Sequence, residues 1–487
     1  MFHPSEQPRI ALCICLIAIV FSVKPASAQV TFSQTVVNSD DISSSSIVSG
    51  DFDNDGFLDL VTVNEASLSF YKGLGGNSYS SPVNQSVTPH LYQMFVADFN
   101  RDGNLDIAVS SSPFQQGGVK IFLGKGDGTF IQGKDITVTG SAGFIALADF
   151  NGDRQPDIAT TVCNGVNTGS CKVQVFIGQG NGTFKLSSTL PSGISRLVAG
   201  DFNADGHQDI AVLTETGVAL YLGNGNGTFK SPVLATLPNA INLVVGDFYN
   251  NRIQSLAVLT SVMVATESFD VSVYSARYVN GRLVVENQHK LEFGVQAPFQ
   301  DLAAGDLNGD FKDDIYLTGG TIMSGAQSAY LLGNGNGTFG PLNDTLSWGD
   351  AHYLSFIRDL NLDSRHDIGV AWTGFFDSDS GAEILSNTSA PHYCNPPIAK
   401  GLRVHICSPA PGQTVGQTFT FYAGGNAANG YAKRMELWID GKKVAQNLED
   451  QLKAKVTLTR GHHTAAFVVV DAFDNYSARS VQFTASY

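Results

Sequence analysis

The feature that most constrains the fold of this chain is an acidic ten-residue motif that occurs seven times. The copies are DFDNDGFLDL (51–60), DFNRDGNLDI (98–107), DFNGDRQPDI (149–158), DFNADGHQDI (201–210), DFYNNRIQSL (247–256), DLNGDFKDDI (306–315) and DLNLDSRHDI (359–368). Successive copies begin 46 to 59 residues apart. A period of this length is typical of architectures that use one supersecondary unit many times.

A second, glycine-rich motif falls between the acidic copies. It reads GKGDGTF (124–130), GQGNGTF (178–184) and GNGNGTF (223–229 and 333–339), with a weaker version GLGGNSY (73–79). Gly and Asn tolerate the positive φ angles of tight hairpins. In the second copy the unit divides into four strands, at 91–97, 105–111, 118–124 and 129–138. Four antiparallel strands at this period predict a β-propeller blade.

Seven acidic motifs therefore predict an all-β, seven-bladed β-propeller over residues 29–390. The last copy supplies three strands, ending at AEILSNTS (382–389), and no fourth strand follows it. The segment VTFSQTVV (30–37) resembles the start of a fourth strand and belongs to no other blade. We expect this N-terminal strand to complete the seventh blade, which would leave the ring without an open edge.

The acidic motif places oxygen donors at alternate positions of a tight loop. In the first copy these are Asp51, Asp53, Asp55 and Asp59, at positions 1, 3, 5 and 9. Hard oxygen ligands of this number and charge suit Ca²⁺ better than a transition metal or Mg²⁺. Position 7 can add a backbone carbonyl, and six loops in register make bare Asp/Asn turns the weaker alternative. The sequence predicts about six Ca²⁺ ions per chain.

The other predicted side-chain ligands follow the same spacing: Asp98, Asn100, Asp102, Asp106, Asp149, Asn151, Asp153, Asp157, Asp201, Asn203, Asp205, Asp209, Asp306, Asn308, Asp310, Asp314, Asp359, Asn361, Asp363 and Asp367. The carbonyls at position 7 belong to Phe57, Asn104, Gln155, His207, Lys312 and Arg365. The fifth copy keeps Asp247 but has Tyr249, Asn251 and Ser255, so we expect no tight metal there. At position 6, Arg154, Phe311 and Ser364 replace Gly, where a sharp turn would be strained.

The paired motifs DFNxDGxxDI and GNGNGTF resemble the FG-GAP/VCBS repeat family, which includes the propellers of integrin α subunits. The resemblance covers about residues 30–390. It implies that the loop between the first two strands of each blade binds Ca²⁺, in six loops here. The family includes adhesion proteins, carbohydrate-binding proteins and, more rarely, enzymes, so the resemblance does not decide the function.

The segment 401–487 departs from the repeat and follows a linker at 391–400. Its short alternating strands and the Asp440-Gly441 hairpin signal predict a small β-sandwich. It resembles a bacterial immunoglobulin-like domain, with GHH before one strand and DAFDN after it. We expect Trp438 to pack in its core.

The N-terminus and the cysteines point to export. Arg9 precedes the apolar run 10–23, and Ala26-Ser27-Ala28 offers a cleavage site, so residues 1–28 read as a signal peptide. An uncleaved anchor is the alternative, but the run is short for a membrane span, and we expect no span in the mature chain. Four cysteines remain, and short separations favour the disulfides Cys163–Cys171 and Cys394–Cys407.

Charge distribution and the absence of catalytic motifs favour a binding protein. The formal net charge is −15, although residues 400–487 hold ten Lys/Arg and six Asp/Glu, so the repeats are strongly acidic and unsuited to nucleic acid. We expect a secreted adhesion or binding module for an extracellular glycan or protein, with Phe114, Phe375 and Phe376 as candidate contacts on long loops. Local packing of these rings is the alternative. An extracellular polysaccharide lyase or hydrolase is the alternative function.

Overall fold

The computed structural model describes most of the chain after the N-terminal segment. The described residues are 30–39, 46–63, 67–76, 78–87, 91–111, 117–163, 171–191, 196–265, 268–291, 299–321, 325–344, 352–361, 363, 365–372, 380–389, 394, 403–426, 432–448, 450–471 and 473–486. The predicted signal peptide and Phe114, Phe375 and Phe376 lie outside them. Every regular element in these ranges is a β-strand, and none of them contains a helix that could cross a membrane.

Residues 30–389 form seven four-stranded antiparallel sheets within the described ranges. The N-terminal strand is β1 (Phe32–Ser39). Sheets 1 to 3 are β2 (Ser46–Gly50), β3 (Asp59–Val63), β4 (Ser67–Tyr71) and β5 (Val83–Ser86); β6 (Leu91–Ala97), β7 (Asp106–Ser111), β8 (Val119–Gly124) and β9 (Phe130–Gln132); and β10 (Ser141–Ala148), β11 (Asp157–Cys163), β12 (Cys171–Gly178) and β13 (Phe184–Pro191).

Sheets 4 to 6 continue the same order. They are β14 (Leu197–Gly200), β15 (Asp209–Thr214), β16 (Gly217–Tyr221) and β17 (Val233–Thr236); β18 (Ala240–Gly246), β19 (Ser255–Ala265), β20 (Ser268–Val279) and β21 (Arg282–Leu291); and β22 (Phe299–Gly305), β23 (Asp314–Thr321), β24 (Gly325–Gly333) and β25 (Phe339–Asp344). Sheet 7 combines β26 (His352–Arg358), β27 (Asp367–Trp372) and β28 (Ser380–Asn387) with β1.

The N-terminal strand completes the last sheet, as the sequence predicts. β1 pairs antiparallel with β28, from Phe32 opposite Asn387 to Ser39 opposite Ser380. Thr388 N also donates to Thr31 O at 2.7 Å, which extends the pairing beyond the strand. The two ends of the repeat region are therefore joined in one sheet.

Hydrophobic cores lie between neighbouring sheets and not inside any one of them. Phe150 and Val173 of sheet 3, for example, pack against Ile210 and Tyr221 of sheet 4. Equivalent cores join each successive pair of sheets, and one more joins sheet 7 to sheet 1. The second strand is buried on both faces, as in β11, because a neighbour covers each side. This is a propeller-like arrangement, in which each sheet depends on both neighbours.

The two sequence motifs meet across neighbouring sheets, a contact that neither motif indicates on its own. Phe52, at position 2 of the first acidic motif, stacks edge-to-face on Phe130 of the second glycine-rich motif, with ring centroids 5.6 Å apart. Gly128 N, in that same motif, donates to Phe52 O at 3.2 Å. The same ring pair and hydrogen bond recur between sheets 2 and 3, 3 and 4, and 5 and 6.

The glycine in this joint has no substitute. Gly128 has φ of 79°, and a Cβ on it would lie 2.4 Å from the ring of Phe70. The close approach of the turn to the preceding sheet therefore requires Gly, which explains why GTF recurs.

Residues 403–486 form two further sheets. A three-stranded sheet contains β29 (Arg403–Ser408), β31 (Thr418–Asn426) and β34 (Gln451–Thr457). A five-stranded sheet contains β30 (Thr414–Gly416), β32 (Ala432–Ile439), β33 (Lys442–Asn447), β35 (Gly461–Asp471) and β36 (Tyr476–Ser486). Their inner faces share a core that includes Phe421, Met435, Leu437, Phe467 and Phe483.

Two expectations for this segment have different outcomes. Asp440 and Gly441 form the predicted hairpin turn, with φ of 50° and 79°. The prediction that Trp438 packs in the core is wrong. Trp438 is half-buried on the other face of β32, where its Nε1 donates to Glu436 Oε2 at 2.9 Å, because Met435 and Leu437 already occupy the inward positions.

Both predicted disulfides are present. Cys163–Cys171 joins the ends of β11 and β12 in sheet 3, and Cys394–Cys407 ties the predicted linker to β29. His405 lies beside the second disulfide, but both cysteines of this group are bonded to each other and offer no thiolate.

Candidate metal centres

The seven acidic motifs occupy the connections between the first and second strands of sheets 1 to 7, and we number them loop 1 to loop 7. The structure places the predicted ligands of each loop on one short connection, and in loop 1 it brings oxygens of Asp51, Asp53 and Asp59 close together. Each loop starts where the first strand ends, and its position 9 is the first residue of the second strand, as Asp59 is of β3. The ligand spacing is therefore imposed by a turn of constant length.

Position 9 holds each loop in shape. Asp106 is fully buried, and its two oxygens accept hydrogen bonds from Phe99 N and Gly124 N, each at 2.8 Å. The first bond closes the loop, and the second ties it to the end of the third strand. Asp59, Asp157, Asp209, Asp314 and Asp367 make the same pair of bonds in their own sheets.

Positions 1, 3 and 5 turn their oxygens toward the loop interior. In loop 2, Asp98 Oδ2 accepts from Gly103 N at 2.9 Å, Asn100 Oδ1 from Asp102 N at 2.9 Å, and Asp102 Oδ1 from Asn104 N at 2.8 Å. Each side chain thus caps a backbone N–H two to five residues ahead. In loop 1, oxygens of Asp51, Asp53 and Asp59 lie within 4.8 Å of one another.

Among the described residues, two loops leave a buried carboxylate oxygen without a hydrogen-bond partner. These atoms are Asp51 Oδ1 and Asp98 Oδ1. An unpaired buried oxygen is unfavourable, whereas a cation at the centre of the loop would satisfy it. The donors are carboxylate, amide and carbonyl oxygens, which is the set that Ca²⁺ takes. The residues present therefore fit a calcium ion.

The pKa values of the position 9 carboxyls are raised because these groups are buried and lie near other carboxylates. Burial is the main reason that the pKa of Asp106 is raised to about 7, and the carboxylates of Asp98 and Asp102 act in the same direction. The position 9 carboxyls of loops 1, 3, 4 and 7 are also raised to about 7, again chiefly by burial. Without a cation, ionising these buried groups opposes folding.

We therefore expect the calcium-free protein to lose stability as the pH rises from about 4 to about 7. The folded-state pKa of these carboxyls lies above the ordinary value of about 3.9, so the folded protein binds more protons than the unfolded chain in this window. Thermal melts of metal-stripped protein between pH 4.5 and pH 8 should give a melting temperature that falls throughout this range, because His366, with its raised pKa of about 9, also loses its charge in the upper part of it. A melting temperature that rises across this window would contradict the assignment.

The loops differ in the basic groups that face them. In loop 1, Lys72 Nζ contacts Asp53 and lies 2.6 Å from Asp55 Oδ2. Lys312 pairs with Asp310 in loop 6, and Arg365 pairs with Asp363 in loop 7, each at 2.6 Å. Within the described part of the chain, no ion pair of this kind involves the acids of loops 2 and 3. A lysine or arginine side chain of the protein therefore competes with a bound metal ion for the carboxylates of loops 1, 6 and 7.

Loop 5 differs in the way that its sequence indicates. Tyr249, at position 3, points away from the loop toward the outer strands, where its hydroxyl donates to Glu286 Oε1 at 2.7 Å. Ser255, at position 9, replaces the buried carboxylate with a hydroxyl that accepts from Phe248 N at 3.2 Å and donates to Gly246 O at 2.8 Å. The loop keeps its shape with fewer charged oxygens.

Arg154 and Phe311, two of the three residues expected to be strained at position 6, adopt the left-handed conformation. Arg154 has φ of 65° and Phe311 has φ of 63°, values that a side chain disfavours. Ser364 lies outside the described residues. The loop geometry thus overrides the local preference at both positions.

The two sheets of residues 403–486 lie against the acidic loops, a feature that no sequence signal indicated. His366 Nε2, in loop 7, lies 3.3 Å from Asp450 Oδ1. Burial opposes the charge on this imidazole, but the carboxylates of Asp450, Asp306 and Asp359 outweigh it and raise the pKa of His366 to about 9. Phe473 enters the core between sheets 2 and 3. The C-terminal segment is therefore docked on the side of the fold that carries the loops.

The chain shows similarity to known proteins in part of its sequence and in its fold. A model of the FG-GAP-like repeat matches residues 51–109, 98–160 and 201–258. No curated protein matches the sequence. A fungal alcohol oxidase, determined in complex with copper, superposes with a TM-score of 0.51 at 10% identity, over 94% of this chain and 100% of that one.

Two lectins are also among the similar structures. A lectin from Burkholderia pseudomallei has a TM-score of 0.46 and 13% identity, and the match covers 70% of this chain and 98% of the lectin. A lectin from Agrocybe aegerita that recognises non-reducing terminal N-acetylglucosamine has a TM-score of 0.42 and 19% identity, over 65% and 80% of the two chains. The chain thus carries FG-GAP-like repeats in three places on an all-β, propeller-like fold.

Proposed function

We propose that this protein is a calcium-binding, seven-bladed β-propeller followed by an immunoglobulin-like sandwich, and that it acts outside the cell as a binding or adhesion module for a glycan or a protein. Sheets 1 to 7 are the blades, in a domain that spans residues 29–390. Residues 401–487 form the sandwich. Cleavage after Ala28 and export complete the proposal, and the two disulfides support an oxidising compartment.

The observation that carries the proposal is the repeated loop frame with its unsatisfied oxygens. Six loops share the buried position 9 carboxylate, and two of them leave Asp51 Oδ1 and Asp98 Oδ1 unpaired at the loop centre. Calcium would be held by positions 1, 3, 5 and 9 and by the position 7 carbonyl. Its role is to neutralise carboxylates at the edge of each blade. The resulting rigid ring can then bind a glycan or a protein on its other surfaces.

A glycan-array experiment tests the binding function. We expect the mature protein to retain one class of polysaccharide in calcium and to lose most of that retention in chelator, because the blades loosen without the ion. The polysaccharide should be recovered intact after incubation. Release of oligosaccharides, abolished by a carboxylate substitution, would overturn the binding proposal in favour of a polysaccharide-active enzyme.

A further inference from the structure

A cavity of about 530 Å³ runs through the centre of the repeat region, enclosed by the first strands of the sheets. Its lining passes from Ser355 and Arg196 at one end to Asp51 and His366 at the other. At the second end, Asn426 and Asp450 of the C-terminal sheets complete the wall. The cavity is of the size that small-molecule sites have.

One layer of this cavity is polar, although the strands around it are mostly apolar. The residue five positions before the acidic motif forms this layer in sheets 2 to 6, and Ser355 joins it from sheet 7. We call these residues, which include the apolar Phe144, the polar layer: Gln93, Phe144, Arg196, Asn242, Asp301 and Ser355. Five residues of strand span about 16 Å, so the layer lies at the end of the cavity away from the acidic loops. In sheets 2, 3, 5 and 6 the strand register shifts beside this position. Such bulges re-aim side chains.

Hydrogen bonds connect the polar layer across the cavity. Asp301, which is 4% exposed, accepts from Arg196 Nη1 at 3.1 Å, from Asn242 Nδ2 at 2.6 Å and from Ser355 N at 3.1 Å. The guanidinium of Arg196 also lies 4.2 Å from the ring centroid of Phe144. Arg196 of sheet 4 thus reaches past sheet 5 to sheet 6 and is held in one position.

The groups of this layer that remain unused are hydrogen-bond donors. Both oxygens of Asp301 and both ends of the Asn242 amide already bond to neighbours, whereas Arg196 has further N–H groups with no partner among the described residues. Gln93 uses its Oε1 to accept from Ile145 N at 2.9 Å, which leaves its Nε2 group. Ser355 Oγ is buried and has no hydrogen-bond partner. A ligand that fits must therefore supply acceptors.

We propose that the polar layer binds the carboxylate of an acidic sugar, with the sugar ring against Phe144 and the apolar cavity wall. A carboxylate accepts only, and a guanidinium presents N–H groups in the fork that matches it. The ion pair with Asp301 fixes the direction of that fork. A neutral sugar offers only uncharged hydroxyl oxygens as acceptors and lacks the charge that strengthens a hydrogen bond from a guanidinium. This inference rests on the proposed glycan-binding function and assigns a ligand class and a site to it.

Titration calorimetry of the calcium-loaded full chain tests the assignment, with glucuronate and galacturonate as probes and glucose and galactose as matched neutral sugars. We expect the uronates to bind at least about tenfold more tightly, the difference that a charge-assisted hydrogen bond makes. Arg196→Ala should abolish this preference. Trigalacturonate distinguishes the sources of the ligand: tighter binding than the monomer indicates a chain end, and equal binding indicates the free sugar acid.

Ser355→Ala keeps the test independent of folding, because it removes only an oxygen that has no partner in the protein. We expect an unchanged melting temperature and several-fold weaker uronate binding. Arg282→Ala, at the exposed start of β21, is the control and should bind as the parent protein does. Equal affinity for uronates and neutral sugars, or full uronate binding by both Arg196→Ala and Ser355→Ala, would overturn this site while leaving glycan binding elsewhere on the protein intact.

Discussion

Stripping calcium from the mature protein is expected to lower its melting temperature sharply, and the calcium-loaded protein is expected to hold about six ions per chain. Each intact loop gathers three or four carboxylates beside one inter-sheet core, so an empty loop strains the contacts of its blade with both neighbours. An ion that binds only the folded state stabilises it by about 2.7 kcal/mol per site at a hundredfold excess over Kd. Several such sites together would dominate the stability of the ring.

Single substitutions measure how much each loop contributes to calcium binding and to the melting temperature. Asp102→Ala should remove one ion and destabilise the protein, because Asp102 supplies a loop oxygen and caps Asn104 N at 2.8 Å. Asn251→Ala, in loop 5, should leave the ion count unchanged. Lys72→Leu, which copies the Leu123 and Leu222 found at the equivalent positions, should tighten binding in loop 1 by removing the competing ammonium.

Elemental analysis of dialysed protein, run beside thermal melts, measures both quantities. The expected pattern is six ions in the parent protein and in Asn251→Ala, and five in Asp102→Ala. Fewer than three ions in the parent protein, or superimposable melts with and without chelator, would refute the calcium proposal.

A disulfide between residues 31 and 388 is expected to raise the melting temperature by about 8 °C. Thr31 Oγ1 and Thr388 Oγ1 lie 2.8 Å apart, one residue before β1 and one residue after β28, at the joint where the N-terminal strand completes sheet 7. The cross-link would close a loop with a sequence separation of 357 residues. In the chain-entropy model this lowers the entropy of the unfolded state by an amount equivalent to about 6 kcal/mol. That free energy corresponds to about 8 °C for a domain of this size.

The measurement compares oxidised Thr31→Cys/Thr388→Cys with the parent protein under the same buffer. Thr31→Ser/Thr388→Ser is the matched control, because it keeps the hydroxyls and should melt with the parent. Peptide mapping establishes that the new bond has formed. Failure of the two cysteines to join, or a cross-linked protein that melts with the parent, would contradict closure of the ring through the N-terminal strand.

Much of the fold was predictable because its determinants are local and repeated. The turn at Asp440-Gly441, the pairing of Cys163 with Cys171 and the position of each acidic loop all depend on residues close together in the chain. The pairing of β1 with β28 spans the whole repeat region, yet it followed from simple counting, since one blade lacked a strand and one strand lacked a blade. The tertiary structure agrees with the sequence wherever a short segment or the repeat period determines the outcome.

Other features depend on which surfaces of the folded units contact each other, and only the tertiary structure determines those contacts. The stacking of Phe52 on Phe130 joins two motifs that the sequence presents as separate. The polar layer unites residues such as Arg196 and Asp301, which are 105 positions apart and become neighbours only when the first strands surround one cavity. Trp438 is at an outward position of its strand, and Asp450 meets His366 through the docking of one sheet pair on another. Periodicity specifies the unit, whereas contacts between units depend on the shape and charge of surfaces that form only after each unit has folded.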